Sequence, residues 1–307
     1  MLKRYALLHD RVVHSEAENA PIMVFVNPDE EERRTLIEAF SVDEHTLLSS
    51  LDPEELARIE FEPNHAALIF KTPRNYSGAD QLLFKASTMG AFLFADRLIV
   101  VAGTDTPLFE GKIFSKVPSL PDLLLKLIHR AIFHFLEHLK IINMLSEELE
   151  HKINLSLENK YLINLFTLEK SLVYYLNSIN SNGVLIERLK HNQVKMGFTT
   201  EQLELLDDLL IEHNQCYRQA EIYSNILASL MDARASIVSN NLNVLMKTLN
   251  IITIGIMVPT LVVSIFSMNV PLPISQELEA FQSFWWIMLL AGVSGMGVFA
   301  LWRLRRW

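Results

Sequence analysis

The chain has 307 residues, half of them hydrophobic, with 36 acidic against 27 basic side chains and a formal net charge of −9. That acidity argues against nucleic acid as a partner and favours cations. The single cysteine, Cys216, excludes an intrachain disulfide and suits a reducing compartment.

In chain order, Lys3 and Arg4 stand near the start, but His9, Asp10 and Arg11 cut off any apolar core, so no signal peptide is expected. Ile22–Asn27, Ala57–Glu62, Ala66–Thr72 and Ala91–Gly103 have the composition of strands, with EPNH as a hairpin turn between the second and third. DEEERRTLIEAF and SVDEHTLLSSL have helical spacing, the second opening on a serine cap. Residues 1–116 therefore predict an α/β domain. It has no glycine-rich phosphate loop, CxxC pair or GxSxG elbow, so no enzyme is expected.

Beyond Pro118 the pattern is nearly all helical. One helix starts at Ser-Leu-Pro-Asp, about residue 119, and a second region covers roughly 156–195. MGFTTEQLEL then supplies a capping box, Thr199 with Gln202, and a hydrophobic staple, Phe198 with Leu203. No glycine or proline follows until Gly255 and Pro259, which predicts one helix of about 70 residues, roughly 105 Å long.

That helix ends in Thr248–Met268, 21 residues without charge, and Phe281–Trp302 is a second uncharged run of 22. Each is long enough to cross a bilayer, which needs about 20 residues. Arg303, Arg305 and Arg306 follow the second run and Lys247 precedes the first, whereas the intervening loop holds Glu277 and Glu279 and no basic residue. Both termini are therefore expected in the cytoplasm, in a multi-pass protein of the cell (inner) membrane. The expected division is a cytoplasmic α/β domain (1–116), a helical stalk region (117–247), a first transmembrane helix (248–268), an extracellular loop (269–280), a second transmembrane helix (281–302) and a basic cytoplasmic tail (303–307).

Steps of three and four along the long helix pick out Asn243, Met246, Asn250, Thr253, Met257, Thr260, Ser264 and Ser267, all polar or methionine. Extended backwards they reach Ser239, Ser236 and Asp232. In a coiled coil these positions are the apolar ones; here the sign is inverted. Polar groups in lipid face one another or water and mark substrate pathways. A seam of small polar residues can also simply glue helices together, but eight consecutive positions favour a wet channel. One such helix per chain cannot line a pore, so a symmetric homo-oligomer is required.

NNLNVLMKTLNIITIGIMVPTLVVSIFSMNVPLP, with the preceding EIYSNILASLMDARASIVSNNLN, resembles the stalk, pore helix and signature of CorA-type divalent metal transporters. FVNPDEEERRTLIEAF and LDPEELARIEFE extend the likeness, more weakly, into the first domain. The resemblance implies a membrane protein of α+β class: a homopentameric funnel of α/β cytoplasmic domains and long stalk helices, with two transmembrane helices per subunit. It implies Mg²⁺ uptake, with Co²⁺ and Ni²⁺ as further substrates. Asn243, Met246, Met257 and Thr260 match pore-lining positions, and Leu249 matches part of a hydrophobic constriction. Met268 and Asn269 match the signature at the extracellular mouth, with Ser267 where the family has glycine. Glycine tolerates positive φ that serine avoids, so a different turn is expected there, and the added hydroxyl bears on selectivity or on conduction itself. Asp232 and Asp208 match acids that hold regulatory metal between subunits.

The residue types suit the cargo. Mg²⁺ gives up water reluctantly, and neutral amide and hydroxyl oxygens can hold its water shell without trapping the ion. Glu277 and Glu279 would concentrate cations at the mouth. Glu201, Glu204, Asp208 and Glu212 form an acidic stripe near the stalk's start, which on most helices is a solvated face. His134 and His138 have i,i+4 spacing without HExxH, so a structural role outweighs zinc, and Cys216 reads as a core thiol. Two other readings stand: a zinc transporter of the ZntB-like branch, and a non-conducting membrane sensor or scaffold.

Overall fold

The computed structural model describes residues 1–76, 81–155, 159–269 and 280–305. Two compact units result, Met1–Met231 and Asp232–Trp307. In the first, strands β1 (Leu2–Leu8), β2 (Arg11–His14), β3 (Ile22–Val26), β4 (Arg58–Phe61), β5 (His65–Pro73), β6 (Ala86–Phe94) and β7 (Leu98–Ala102) form one sheet, ordered β2-β1-β3-β7-β6-β5-β4. The β3–β7 pair is parallel and the other described pairs are antiparallel.

The sheet is central to three layers. Along β3, Ile22, Val24 and Val26 point into one core and Met23 and Phe25 into the other, as alternation along a strand requires. A strand buried on both faces reads as an unbroken apolar run, which is why IMVFV and LIVVA carry no polar residue. The smaller core is closed by Leu36 of α1 (Glu30–Glu38), Leu47 of α2 (Glu44–Ser49) and Val42 between them. The larger is closed by α3 (Leu120–Leu155), α4 (Asn159–His191) and the first part of α6 (Thr200–Phe266), with the short α5 (Gln193–Met196) between the last two. A final helix, α7 (Ala280–Arg305), belongs to the second unit.

Two expectations need correction, and one element is new. The run Ala91–Gly103 is not one strand. It breaks at Ala95–Arg97, where Phe94 N–H donates to the Arg97 carbonyl at 2.8 Å and closes the β6–β7 turn. The second short helix is capped by Asp43, whose carboxylate accepts from Thr46 N–H at 2.9 Å, while Ser41 sits at φ 55° in the left-handed region. The β1–β2 hairpin went unread because its two-residue turn is His9-Asp10, at φ 48° and 58°. Such turns usually announce themselves by Asn-Gly or Asp-Gly.

The helical layer satisfies the sheet's spare backbone groups with side chains. Asn182 on α4 is buried and its amide pairs with both backbone groups of Lys71, at 2.7 and 2.8 Å, like a rung of the ladder. Ser181 and Ser171 accept from the N–H groups of Ala57 and Phe84 at 2.6 and 3.0 Å. Each substitutes for a backbone partner that burial would otherwise leave unpaired. Gly183 serves contact: a Cβ there would lie 2.4 Å from Cε1 of His213, so only glycine lets α6 come this close to α4.

His138 belongs to this core and stacks on Tyr175, with Nδ1 2.6 Å from the phenol oxygen. Burial, reinforced by the neighbouring His134, pushes its imidazole down to about 4, so the ring is neutral and shares a hydrogen bond with the tyrosine's hydroxyl. Its folded value lies below the 6.5 of a free histidine. Between those values the unfolded chain binds a proton that the folded chain refuses, so stability falls as pH drops from 6.5 towards 4. Thermal unfolding followed by circular dichroism should show that decline, and it should be shallower in His138→Phe. Equal slopes in both proteins would assign the acid limb to other groups.

Candidate functional site

The second unit contains the two helices apolar enough to cross a membrane, the C-terminal part of α6 and Gln282–Leu304 of α7. Their apolar windows are 0% and 6% buried, unlike core helices of a soluble protein, so a lipid environment is the physical reason for such sequences.

The start of α6 follows local sequence signals. Thr199 N–H donates to Gln202 Oε1 at 3.0 Å and Gln202 N–H to Thr199 Oγ1 at 3.3 Å, the reciprocal capping box. The Gln202 amide also reaches Ser119 and Asp122 at the start of α3, at 3.1 and 2.9 Å, tying two helix N-termini together. Farther on, Leu206, Leu209, His213, Cys216 and Ala220 are buried in the core. Cys216 is the expected core thiol, pushed up to about 12 by burial.

Within the second unit the faces of α6 separate. Ile251, Gly255, Val258, Pro259, Val262 and Phe266 are half-buried, as are Ser283, Ile287, Ser294, Gly295 and Val298 of α7, with Ala291 buried. Gly295 sits against Pro259, where a Cβ would be 3.2 Å from the proline ring. Asn243, Met246, Asn250, Thr253, Met257, Thr260, Ser264 and Ser267 are all exposed. At about 100° per residue the stripe lies on the side of α6 away from this half-buried face. Leu249, beside the stripe, is 64% exposed. Gly295 belongs to the SGMG run, Ser294–Gly297, whose small side chains are expected from the sequence to let the second span pack closely on the first, and its contact with Pro259 is that close packing.

The hydroxyls of the stripe are oriented. Thr253 and Thr260 donate to the carbonyls of Leu249 and Ile256, at 2.8 and 2.7 Å. With the proton spent inside the helix, the oxygen lone pairs are what each hydroxyl offers outwards. This face of the helix thus offers hydroxyl acceptors, which the waters around a cation could use, and α6 carries no charged side chain between Thr248 and Phe266.

Ser267 stays within the hydrogen bonding of the helix end. Its N–H donates to the Val263 carbonyl at 3.1 Å, and neither it nor Met268 nor Asn269 has positive φ. The backbone here follows the helix end, a conformation open to serine. Asn269 is exposed just past the end of α6. Glu277 and Glu279 lie outside the described residues.

Asp208 and Asp232 are both exposed, in the first and second unit respectively. Along the acidic stripe, Glu212 pairs with His129 Nε2 at 2.5 Å, and the adjacent Asp207 pairs with Lys190 at 2.7 Å. No group of three or more His, Cys, Asp or Glu side chains within a chain is placed to hold a metal among the described residues. His134 and His138 lie edge to face, 4.5 Å apart, with His138 engaged by Tyr175.

Comparison with known proteins bears on this arrangement. Residues 22–306 match the family described as CorA-like Mg²⁺ transporter protein. The cobalt/magnesium transport protein CorA of Methanocaldococcus jannaschii is 24% identical over 279 residues, covering 86% of this chain and 84% of its own. The complete structure of the CorA magnesium transporter from the same organism superposes with a TM-score of 0.79 at 21% identity, covering 98% of this chain and 96% of that one. The ZntB cytoplasmic domain from Vibrio parahaemolyticus gives 0.61 at 15% identity, covering 78% of this chain and 98% of that one. The fold is thus that of a complete CorA chain: a soluble domain with a mixed sheet, a long helix and two C-terminal apolar helices. With the match extending over nearly its whole length, the chain belongs to the CorA-like Mg²⁺ transporter family.

Proposed function

We propose that this protein is a homopentameric channel for divalent cations, with Mg²⁺ as its main cargo and Co²⁺ and Ni²⁺ as further ones. The observation that carries the reading is the uncharged polar stripe from Asn243 to Ser267, exposed on the side of α6 turned away from α7's partner face. A face of amides, acceptor hydroxyls and thioethers has no reason to meet lipid tails. Copies of α6 placed around an axis would enclose it, with Leu249 forming a dry constriction and Asn269 the mouth. α7, with Trp285, Trp286 and Trp302 exposed, would then face lipid, with both termini in the cytoplasm.

Transport without dehydration follows from the neutral wall. Mg²⁺ exchanges its octahedral water shell reluctantly, and a lumen of acceptors can bind the shell rather than the ion. Asp232 and Asp208 would hold regulatory metal where subunits meet, since each is exposed and without an ion pair among the described residues.

The cobalt and magnesium named for the Methanocaldococcus relative support the cargo, and the likeness to the ZntB domain favours a second reading, zinc transport. Flux into proteoliposomes of Mg²⁺, Co²⁺, Ni²⁺ and Zn²⁺, with and without a proton gradient, separates them. The first reading predicts Mg²⁺ entry without a proton gradient. Zinc alone, driven by protons, would establish the second, and no flux of any metal would leave a sensor or scaffold.

A further inference from the structure

The first unit holds a cavity of about 740 Å³ that the conduction path does not use. It lies beyond the carboxyl end of β7, among the ends of β5 and β6, the loop 103–113 and α3, with Glu212 of α6 in its wall. Here β7 meets its parallel neighbour β3, Asn27 N–H donating to the Ala102 carbonyl at 2.7 Å. The chain leaving β3 enters the helices over the smaller core, and the chain leaving β7 enters those over the larger. In open α/β sheets such a parting of connections opens the crevice in which ligands bind.

Two side chains of α3 give the cavity its chemistry. Arg130 is half-buried, and its Nη1 donates to the Glu110 carbonyl at 2.7 Å. Burial holds the guanidinium below its ordinary value despite the charges of Glu110 and Glu137, and it makes no ion pair among the described residues. A cation partly taken from water is stabilised by an anion, and the guanidinium fork suits phosphate. Beside it, His129 Nε2 pairs with Glu212 at 2.5 Å, while Nδ1 is buried with no hydrogen-bond partner among the described residues. Buried polar atoms ordinarily have one. Leu108, Ile113 and Leu127 add apolar wall. Small-molecule sites run to roughly 300–1,000 Å³, and inorganic phosphate would leave most of this one to water.

We propose that the cavity is a nucleotide site, with a phosphate on Arg130, the polar edge of the base on Nδ1 of His129 and the base's faces against the apolar wall. A base edge carries donors and acceptors, so it answers Nδ1 in either form of the imidazole. Glu110 and Glu137 are exposed, where solvent and salt screen their repulsion of the phosphate.

Equilibrium dialysis of the full-length protein in detergent against AMP, adenosine and inorganic phosphate, at fixed Mg²⁺, tests the assignment. AMP should bind once per chain, about tenfold or more tightly than either fragment, the worth of hydrogen bonds to a charged group. Arg130→Gln should weaken AMP by about the same factor and leave adenosine unchanged, a split that loss of fold would not produce. Thr106→Trp, on the loop, fills the cavity and should abolish binding of both; it decides alone if Arg130→Gln does not fold. Wild-type AMP affinity in either variant would overturn the proposal. So would no AMP binding at millimolar concentration, or phosphate binding as tightly as AMP. The readout is binding, so the result stands whether or not the chain conducts Mg²⁺.

Discussion

Mg²⁺ uptake should fall to background in Asn269→Ala, by about a hundredfold or more, while the protein assembles as before. The side chain lies beyond the last turn of α6, exposed and uncharged, so its removal leaves no cavity and breaks no packing. What would be lost is the proposed ring of amide oxygens around the ion's water shell. Each net hydrogen bond is worth about 1 kcal/mol, and a ring loses one or more from every subunit at once. Radiotracer or fluorescent-indicator flux, with native mass measured on the same sample, makes the comparison. Normal uptake in the variant would move selectivity away from the mouth.

The second large effect concerns regulation. Asp232→Asn should strongly reduce inhibition by cytoplasmic Mg²⁺, moving the half-inhibiting concentration upwards about tenfold, the effect of about 1.4 kcal/mol of lost metal binding. Asp232 extends the stripe towards the cytoplasm and is exposed, so symmetry-related copies would repel one another around the axis. In the proposed ring, bound Mg²⁺ would offset that repulsion and favour the closed state. A ligand shifts such an equilibrium only through different affinity for its two states, so a weaker site means weaker feedback. Basal flux responds to lost repulsion and lost metal in opposite senses, and the inhibition curve is therefore the quantity to measure. An unchanged curve would leave Asp232 a solvated residue and turn attention to Asp208.

What was legible in the sequence was local. The capping box at Thr199 and Gln202 satisfies itself within four residues, and both charge-free runs announce their solvent by composition alone. The stripe was legible because helical periodicity carries over unchanged from string to cylinder. Contacts between distant residues were not. Nothing near Gly183 in the chain says that His213 will fill its missing side chain, and nothing near Asn182 says that it completes the hydrogen bonding of Lys71. The β6–β7 turn was hidden for a different reason. Both flanking strands are apolar on two faces, so Ala95–Arg97 was the only mark of the break. At Ser267 the sequence showed a residue type whose meaning depended on φ, and φ came from the fold.

The central claim is that several copies of α6 enclose the stripe. The most direct test is the mass of the full-length protein in native nanodiscs, where protein and lipid stay together. A single species of five chains is the predicted result; a population of monomers or dimers only would contradict it, because neither can close a ring around the face from Asn243 to Ser267.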